Sequence, residues 1–244
     1  MHYRLYYWPG IPGRGEFVRL ALEAAGARYT DVAREPQRGG GGVPAMLRLM
    51  EDNALRPPFA PPILGAGRLL IAQTANILQY LAPRHGLVPD DEQSRVWAHQ
   101  LQLTVTDFVA EVHDVHHPIA VSLYYRQQKT EARRRARYFR RERLPKFLGY
   151  FERVLQANRR GRGHMVGSAL SYVDLSMFQL IAGLRYAFPR TLRKLEPQLS
   201  GLAALHDRVL QLPRIVAYLQ SERRIPFNES GIFRHYPELD GARG

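Results

Sequence analysis

The chain has 244 residues, 45% of them hydrophobic, enough for one large core or two smaller ones. It contains no cysteine, which excludes disulfides, thiolate metal sites and a cysteine nucleophile, and no apolar run approaches the ~18–20 residues needed to span a bilayer. The formal charge of +13 favours anionic partners without choosing between a small acid, a membrane surface and nucleic acid; of the 35 basic residues only Lys129, Lys146 and Lys194 are lysines.

The start, Met1 to Pro9, lacks the cationic-then-apolar pattern of a secretory signal, so a cytoplasmic location is expected. Residues 3–7 alternate as a strand, with Tyr3, Leu5 and Tyr7 on one face. After the turn Pro9 to Gly13, Phe17, Leu20, Ala21 and Ala24 recur at helical spacing until Gly26 ends the helix. Residues 28–33 read as a second strand, Gly39 to Gly42 as a flexible loop, and 43–53 as a weakly amphipathic helix. The proline-rich run 57–62 suits neither a helix interior nor a central strand. Ile63-Leu64 and Leu69-Leu70-Ile71 flank Gly65-Ala66-Gly67 as a hairpin, and a helix runs from Thr74 to about Ala82.

This order, βαβαββα, predicts a small α/β unit over 1–84. Residues 85–92 read as a linker, and 93–244 as an all-helical unit with helices near 93–116, 129–157, 171–186, 199–211 and 213–222. The tail 223–244 reads as irregular, with Phe227, Ile232, Phe233 and Tyr236 available to pack it back. No internal repeat is present.

The segment from Pro62 to Leu81 carries the first chemistry. Thr74 suits a helix N-cap, because its hydroxyl can accept from a free amide of the first turn. Those amides and the helix dipole also form a site for a carboxylate, with the Gln73 amide beside it. From the residues alone, an ordinary capped helix and an anion site both remain open.

The same segment resembles the Pro-x-Leu…Gly…Leu-x-Gln-Ser-x-x-Ile-x-x-Tyr-Leu pattern of the cytosolic glutathione transferases, with Thr74 in place of serine. Tyr7-Trp8-Pro9…Gly13-Arg14 resembles the start of the tyrosine-type classes, taken here as a bacterial-like subtype. Gly167 to Asp174 resembles the family's buried helix start. The resemblance covers nearly the whole chain. It implies a thioredoxin-like first domain, a cis bond before Pro62, and an all-helical second domain that supplies an electrophile pocket and much of a homodimer contact. It also implies glutathione as cosubstrate, a small electrophile as second substrate, and no metal. Gln73 and Thr74 would hold the γ-glutamyl carboxylate, with Trp8, Arg14 and Pro61 also at the glutathione site.

The family activates the glutathione thiol with Tyr, Ser or Cys. The first domain has no Cys, and the first serine in the chain is Ser94. Tyr7 is therefore the expected catalytic residue, its hydroxyl stabilising a thiolate that is otherwise scarce at neutral pH; a plain strand-end aromatic is the alternative.

Three positions depart from the pattern. Pro61 has no N–H to give the cysteinyl backbone of glutathione, Ala60 cannot hydrogen-bond, and Leu103 stands where some classes place an Asp that crosses the dimer. Asp107 lies one helical turn later. Arg38 or Arg48 could serve the glycyl carboxylate. A non-catalytic binding or interaction protein on the same fold is the rival reading.

His113, His116 and His117 share a helix face at a spacing that could hold a metal; a substrate-facing role for His113 and His117, with Tyr124 and Tyr125 facing the same pocket, fits the family better. Ser171 to Asp174 is a capping box. The nine basic residues of 126–143 fall on several helix faces, which suits a solvated surface rather than a specific nucleic-acid interface. No membrane insertion is expected.

Overall fold

A computed structural model of the chain describes residues 1–52 and 55–241. The first half begins with β1 (His2–Tyr6), α1 (Gly15–Ala25), β2 (Arg28–Asp31) and α2 (Gly42–Glu51), followed by β3 (Ile63–Ala66), β4 (Leu69–Ala72) and α3 (Thr74–Leu81). Position 53, the last expected in the second helix, lies outside the described residues. The sheet order is β2-β1-β3-β4, with β1 parallel to β2 and antiparallel to β3. This is the small α/β unit that the βαβαββα order predicts, in the thioredoxin-like arrangement that the family resemblance implies.

The β1–α1–β2 crossover works because α1 is apolar on the side that meets the sheet. Tyr3 and Leu5 of β1 pack with Val18, Leu22, Leu64 and Ile77 on one face. Tyr6 turns to the other face and packs with Val32, Ala45, Met46 and Ile63 under α2. Gly26 ends α1 in the left-handed conformation, at φ 62°, where a side chain would be strained.

The rest is helical: α4 (Glu92–His116), α5 (Lys129–Tyr138), α6 (Leu144–Ala157), α7 (Tyr172–Ala187), α8 (Pro189–Leu195), α9 (Ser200–Leu210) and α10 (Pro213–Leu219). The expected helix 129–157 keeps its path but widens to a π-turn over Phe139–Arg143. Pro145 explains the widening, because it has no N–H to return to the preceding turn. Helix α7 is buried on nearly every side and is largely apolar, with Asp174, Ser176 and Gln179 as its buried polar residues. Its start is the expected capping box, with the Asp174 N–H reaching Ser171 Oγ at 3.4 Å and the Ser171 N–H reaching Asp174 Oδ2 at 2.8 Å.

Helix α8 was not expected from the sequence. Its N-terminus is capped from the far end of the chain: Asp240 accepts from the N–H groups of Arg190 at 2.7 Å and Thr191 at 3.1 Å. The tail is irregular and folds back. Ile232 and Phe233 are buried, Tyr236 stacks on Tyr125, and the Phe233 ring lies where a side chain on Gly183 would be. One large core joins the two halves, with Phe17, Leu20 and Leu78 from the first packing against α4 and α7. Among the described residues no helix is long and apolar enough to cross a membrane.

Candidate active site

Tyr7 lies one residue beyond the end of β1 and is 4% exposed. Its ring rests against two glycines. A Cβ on Gly13 would collide with the Tyr7 hydroxyl, and one on Gly15 would stand 2.5 Å from Cγ of the ring. These glycines bring the backbone close enough for the Arg14 N–H to donate to the Tyr7 hydroxyl at 2.8 Å. Burial raises the Tyr7 pKa; the Arg14 hydrogen bond and the charges of Arg14 and Arg19 oppose that rise. The phenol therefore keeps its proton at neutral pH. Since its oxygen already accepts from Arg14, that proton is left to donate to a ligand. The other two nearby tyrosines are engaged elsewhere: Tyr3 shares a hydrogen bond with His85 at 2.9 Å, and Tyr6 is in the core.

Arg19 was not singled out by the sequence. It is fully buried, donates to Asp31 at 2.7 Å and to Glu16 at 3.3 Å, and its guanidinium lies 5.8 Å from the Tyr7 ring centre. It also reaches the Pro12 carbonyl at 3.4 Å, which fixes the loop carrying Gly13 and Arg14. Glu16 accepts in turn from Tyr218 at 2.7 Å and from Arg224, tying this loop to the end of the helical half.

The start of α3 differs from the expectation. Thr74 is the first helical residue rather than the cap; the capping position falls on Gln73, whose side chain makes no capping bond. The Thr74 hydroxyl instead donates to the Arg14 carbonyl at 3.4 Å, joining the two loops. Gln73 has φ 70°, the one positive φ outside glycine among the described residues, and its side chain is exposed. The Pro61–Pro62 bond is cis. No side chain caps the first-turn amides of α3, which begins where the Thr74 hydroxyl meets the Arg14 loop. Arg14, Phe17 and Thr74 face Gln102, Val105 and Val109 of α4 across a small cavity.

Trp8, Pro61 and Arg14 are each at least partly exposed around this point. Arg38, Arg48, Leu103 and Asp107 are all exposed. Tyr124 is 69% exposed on the turn after α4, and Tyr125 points inward to donate to Glu238 at 2.9 Å. The shared pocket suggested for these two tyrosines is thus corrected: Tyr125 packs against the tail, and only Tyr124 stays open to solvent.

The three histidines do come together, with ring centres 4.9–5.2 Å apart. They continue the α4 face that Gln102, Val105 and Val109 turn toward Arg14. Burial lowers all three pKa values, and the charge of Arg234 adds to the effect; His116 is pushed down to about 2. Among the described residues no group of three or more His, Asp or Glu is arranged to hold a metal ion. In the basic run, Ala132 and Ala136 face the core and the arginines of α5 face outward.

Residues 113–222 match the family model described as glutathione S-transferase, C-terminal domain. A glutathione S-transferase of Plasmodium falciparum is 27% identical over 225 residues, covering 90% of this chain and 95% of the relative. The Pi-class glutathione S-transferase of Onchocerca volvulus superposes with a TM-score of 0.68 at 22% identity, covering 90% of this chain and 93% of the other. The chain belongs to the cytosolic glutathione S-transferase family. Prostaglandin synthase D of Nilaparvata lugens shares the fold, with a TM-score of 0.70 at 17% identity and coverage of 93% and 100%. Family relatives also come from Plasmodium yoelii and rabbit, and none of these supports the bacterial-like subtype.

Proposed function

We infer that this glutathione S-transferase joins the glutathione thiolate to small, largely apolar electrophiles, with Tyr7 as the residue that stabilises the thiolate. The single observation that carries this assignment is the buried Tyr7 hydroxyl, which accepts from the Arg14 N–H and keeps its own proton for a ligand. Donation to sulfur favours the charged form and lowers the thiol pKa from its free value of about 8.5. In the reaction the thiol proton leaves to solvent, a carbon–sulfur bond forms, and a leaving group such as halide departs with its bonding pair.

Gln73 and Thr74 would take the γ-glutamyl carboxylate against the uncapped start of α3. Arg14 and Trp8 would flank the peptide, and Pro61 would keep only its carbonyl for the cysteinyl N–H. His113 and His117 would line the electrophile side. Exposed Leu69 and Leu70 on the edge strand and Val96 and Leu103 on α4 support a homodimer, and the family points to a cytoplasmic setting.

The second reading, a ligand-binding protein with a weakened grip on glutathione, draws on Pro61, Ala60 and Leu103. Conjugation of chlorodinitrobenzene by wild type and by Tyr7→Phe separates the two. A wild-type rate no faster than the spontaneous reaction sinks the catalytic reading; equal activity in Tyr7→Phe sinks only the assignment of Tyr7. Calorimetry with glutathione measures the grip directly.

A further inference from the structure

Glu16 and Arg19 lie one turn apart on α1, and both are fully buried. Burying a charge is costly unless it is paired and hydrogen-bonded, and the two oxygens of Glu16 find partners in different halves of the chain. Oε2 accepts from Arg19 Nη1 at 3.3 Å, whereas Oε1 accepts from the Tyr218 hydroxyl at 2.7 Å and from Arg224 Nη1. Arg19 Nε holds Asp31 at 2.7 Å, and the same Nη1 that meets Glu16 also reaches the Pro12 carbonyl at 3.4 Å. One nitrogen is thus shared between a carboxylate and the loop that carries Arg14.

How that nitrogen divides itself depends on the far side of Glu16. With Tyr218 and Arg224 in place, two donors and a positive charge are committed to Oε1, and Arg19 stays on the Pro12 carbonyl. Without Arg224, two acids, Glu16 and Asp31, face one arginine, and Arg19 is drawn toward Glu16. Arg224 is itself well fixed. Its side chain is 13% exposed, its guanidinium reaches Gln179 Oε1 of α7 at 3.3 Å, and it lies 5.4 Å from the Phe227 ring centre. Close behind it, Asn228 donates to the Gly10 carbonyl at 3.0 Å. The segment after α10 therefore grips the Tyr7 loop at two points: Gly10 directly, and Pro12 through Glu16 and Arg19. That loop supplies the N–H that meets the Tyr7 hydroxyl, and the Arg19 charge beside the ring acts against the rise that burial causes in the phenol pKa.

We propose that Arg224 is a positioning residue for thiolate formation: by neutralising Glu16 from the helical half, it leaves Arg19 to hold the loop from which the Arg14 N–H meets Tyr7. This deepens the conjugating reading and rests on it.

The test measures the pKa of bound glutathione in wild type, Arg224→Met, Arg224→Lys and Arg223→Met. It is read from the pH profile of kcat/KM with chlorodinitrobenzene and, without turnover, from the ultraviolet absorbance of the bound thiolate. In Arg224→Met the thiol pKa is expected to rise by about one unit, which is about a tenfold loss of thiolate at a pH below it. Glutathione affinity at acidic pH, where the thiol is protonated in every variant, should stay within about threefold of wild type. Only one guanidinium nitrogen reaches Glu16, so Arg224→Lys, which keeps a donor and the charge, should keep the wild-type pKa. Arg223→Met removes a neighbouring charge that is 59% exposed and paired with Glu23, and should also leave the pKa in place. An unchanged pKa in Arg224→Met overturns the proposal, as does an equal rise in Arg224→Lys or Arg223→Met. Should Arg224→Met fail to fold, Tyr218→Phe withdraws the other donor from the same oxygen; a rise of about half a unit supports the proposal and no rise overturns it. A wild type that conjugates, with no effect of Arg224, sinks this inference alone. If wild type binds glutathione without conjugating it, the conjugating reading fails while the thiolate titration still decides the role of Arg224; if it binds none, both fail.

Discussion

The backbone N–H of Arg14 donates to the hydroxyl of Tyr7 at 2.8 Å, so the residue after one turn glycine holds the oxygen whose proton the proposed chemistry uses. Tyr7→Phe removes that donor and leaves the packing intact. Its kcat/KM with chlorodinitrobenzene is expected to fall about a hundredfold, the scale for one hydrogen-bond donor to a developing or stabilised anion. The pH at which the rate reaches half its plateau should move up, toward the pKa of the free thiol. Because burial holds the Tyr7 pKa above its ordinary value, the wild-type profile below pH 9 reports the thiol and not the phenol.

Gly15 is the first residue of α1 and has no positive φ, so Ala there would ordinarily favour the helix by up to about 1 kcal/mol. A Cβ at this position meets the Tyr7 ring. Gly15→Ala alone should lower both stability and activity, whereas in a Tyr7→Ala background it should cost little or stabilise. Chemical denaturation of the four proteins in this cycle measures the coupling; additive effects would show that the ring and the glycine are independent.

Gln73 is held at φ 70°. Gln73→Gly relieves that strain and loses the amide, so stability and binding should move in opposite directions. The net gain is about 1 kcal/mol, or a rise in Tm of about 2–4 °C. Glutathione affinity should drop about five- to tenfold. A calorimetric scan and a titration on the same sample check both signs.

His116 is buried neutral, its pKa pushed down from an ordinary 6.5 to about 2 by burial and the nearby Arg234 charge. A base whose folded pKa is depressed contributes full stability above its unfolded value. That stability is lost as pH falls below about 6.5, at about 1.4 kcal/mol per pH unit. His116→Gln, which can still donate to Ile232, should flatten the fall in Tm between pH 7 and pH 5. Parallel curves for the two proteins would contradict this assignment.

The sequence carried the architecture well where punctuation was strong. Gly26, the hairpin glycines and the proline run delimit the first half, and the motif around Pro62 and Gln73 points to the proposed site. It missed what depends on distant contacts. The short helix Pro189–Leu195 is completed by Asp240, some fifty residues away, and Pro145 reshapes a helix that otherwise reads as uninterrupted. Gly13 and Gly15 read as a turn and a helix start; only the approach of the Tyr7 ring shows why both lack side chains. Their spacing around Arg14, six to eight residues after Tyr7, was the available signal.

The start of α3 also bears on how such a site can drift. A Ser, Asp or Asn whose side chain closed over the first turn would finish the helix from within the chain, and selection for folding alone would reward it. Gln73 does not close that turn. Under the proposed function a substrate carboxylate would complete the helix, so the element that looks least well made on its own would be the one that ties the chain to its ligand.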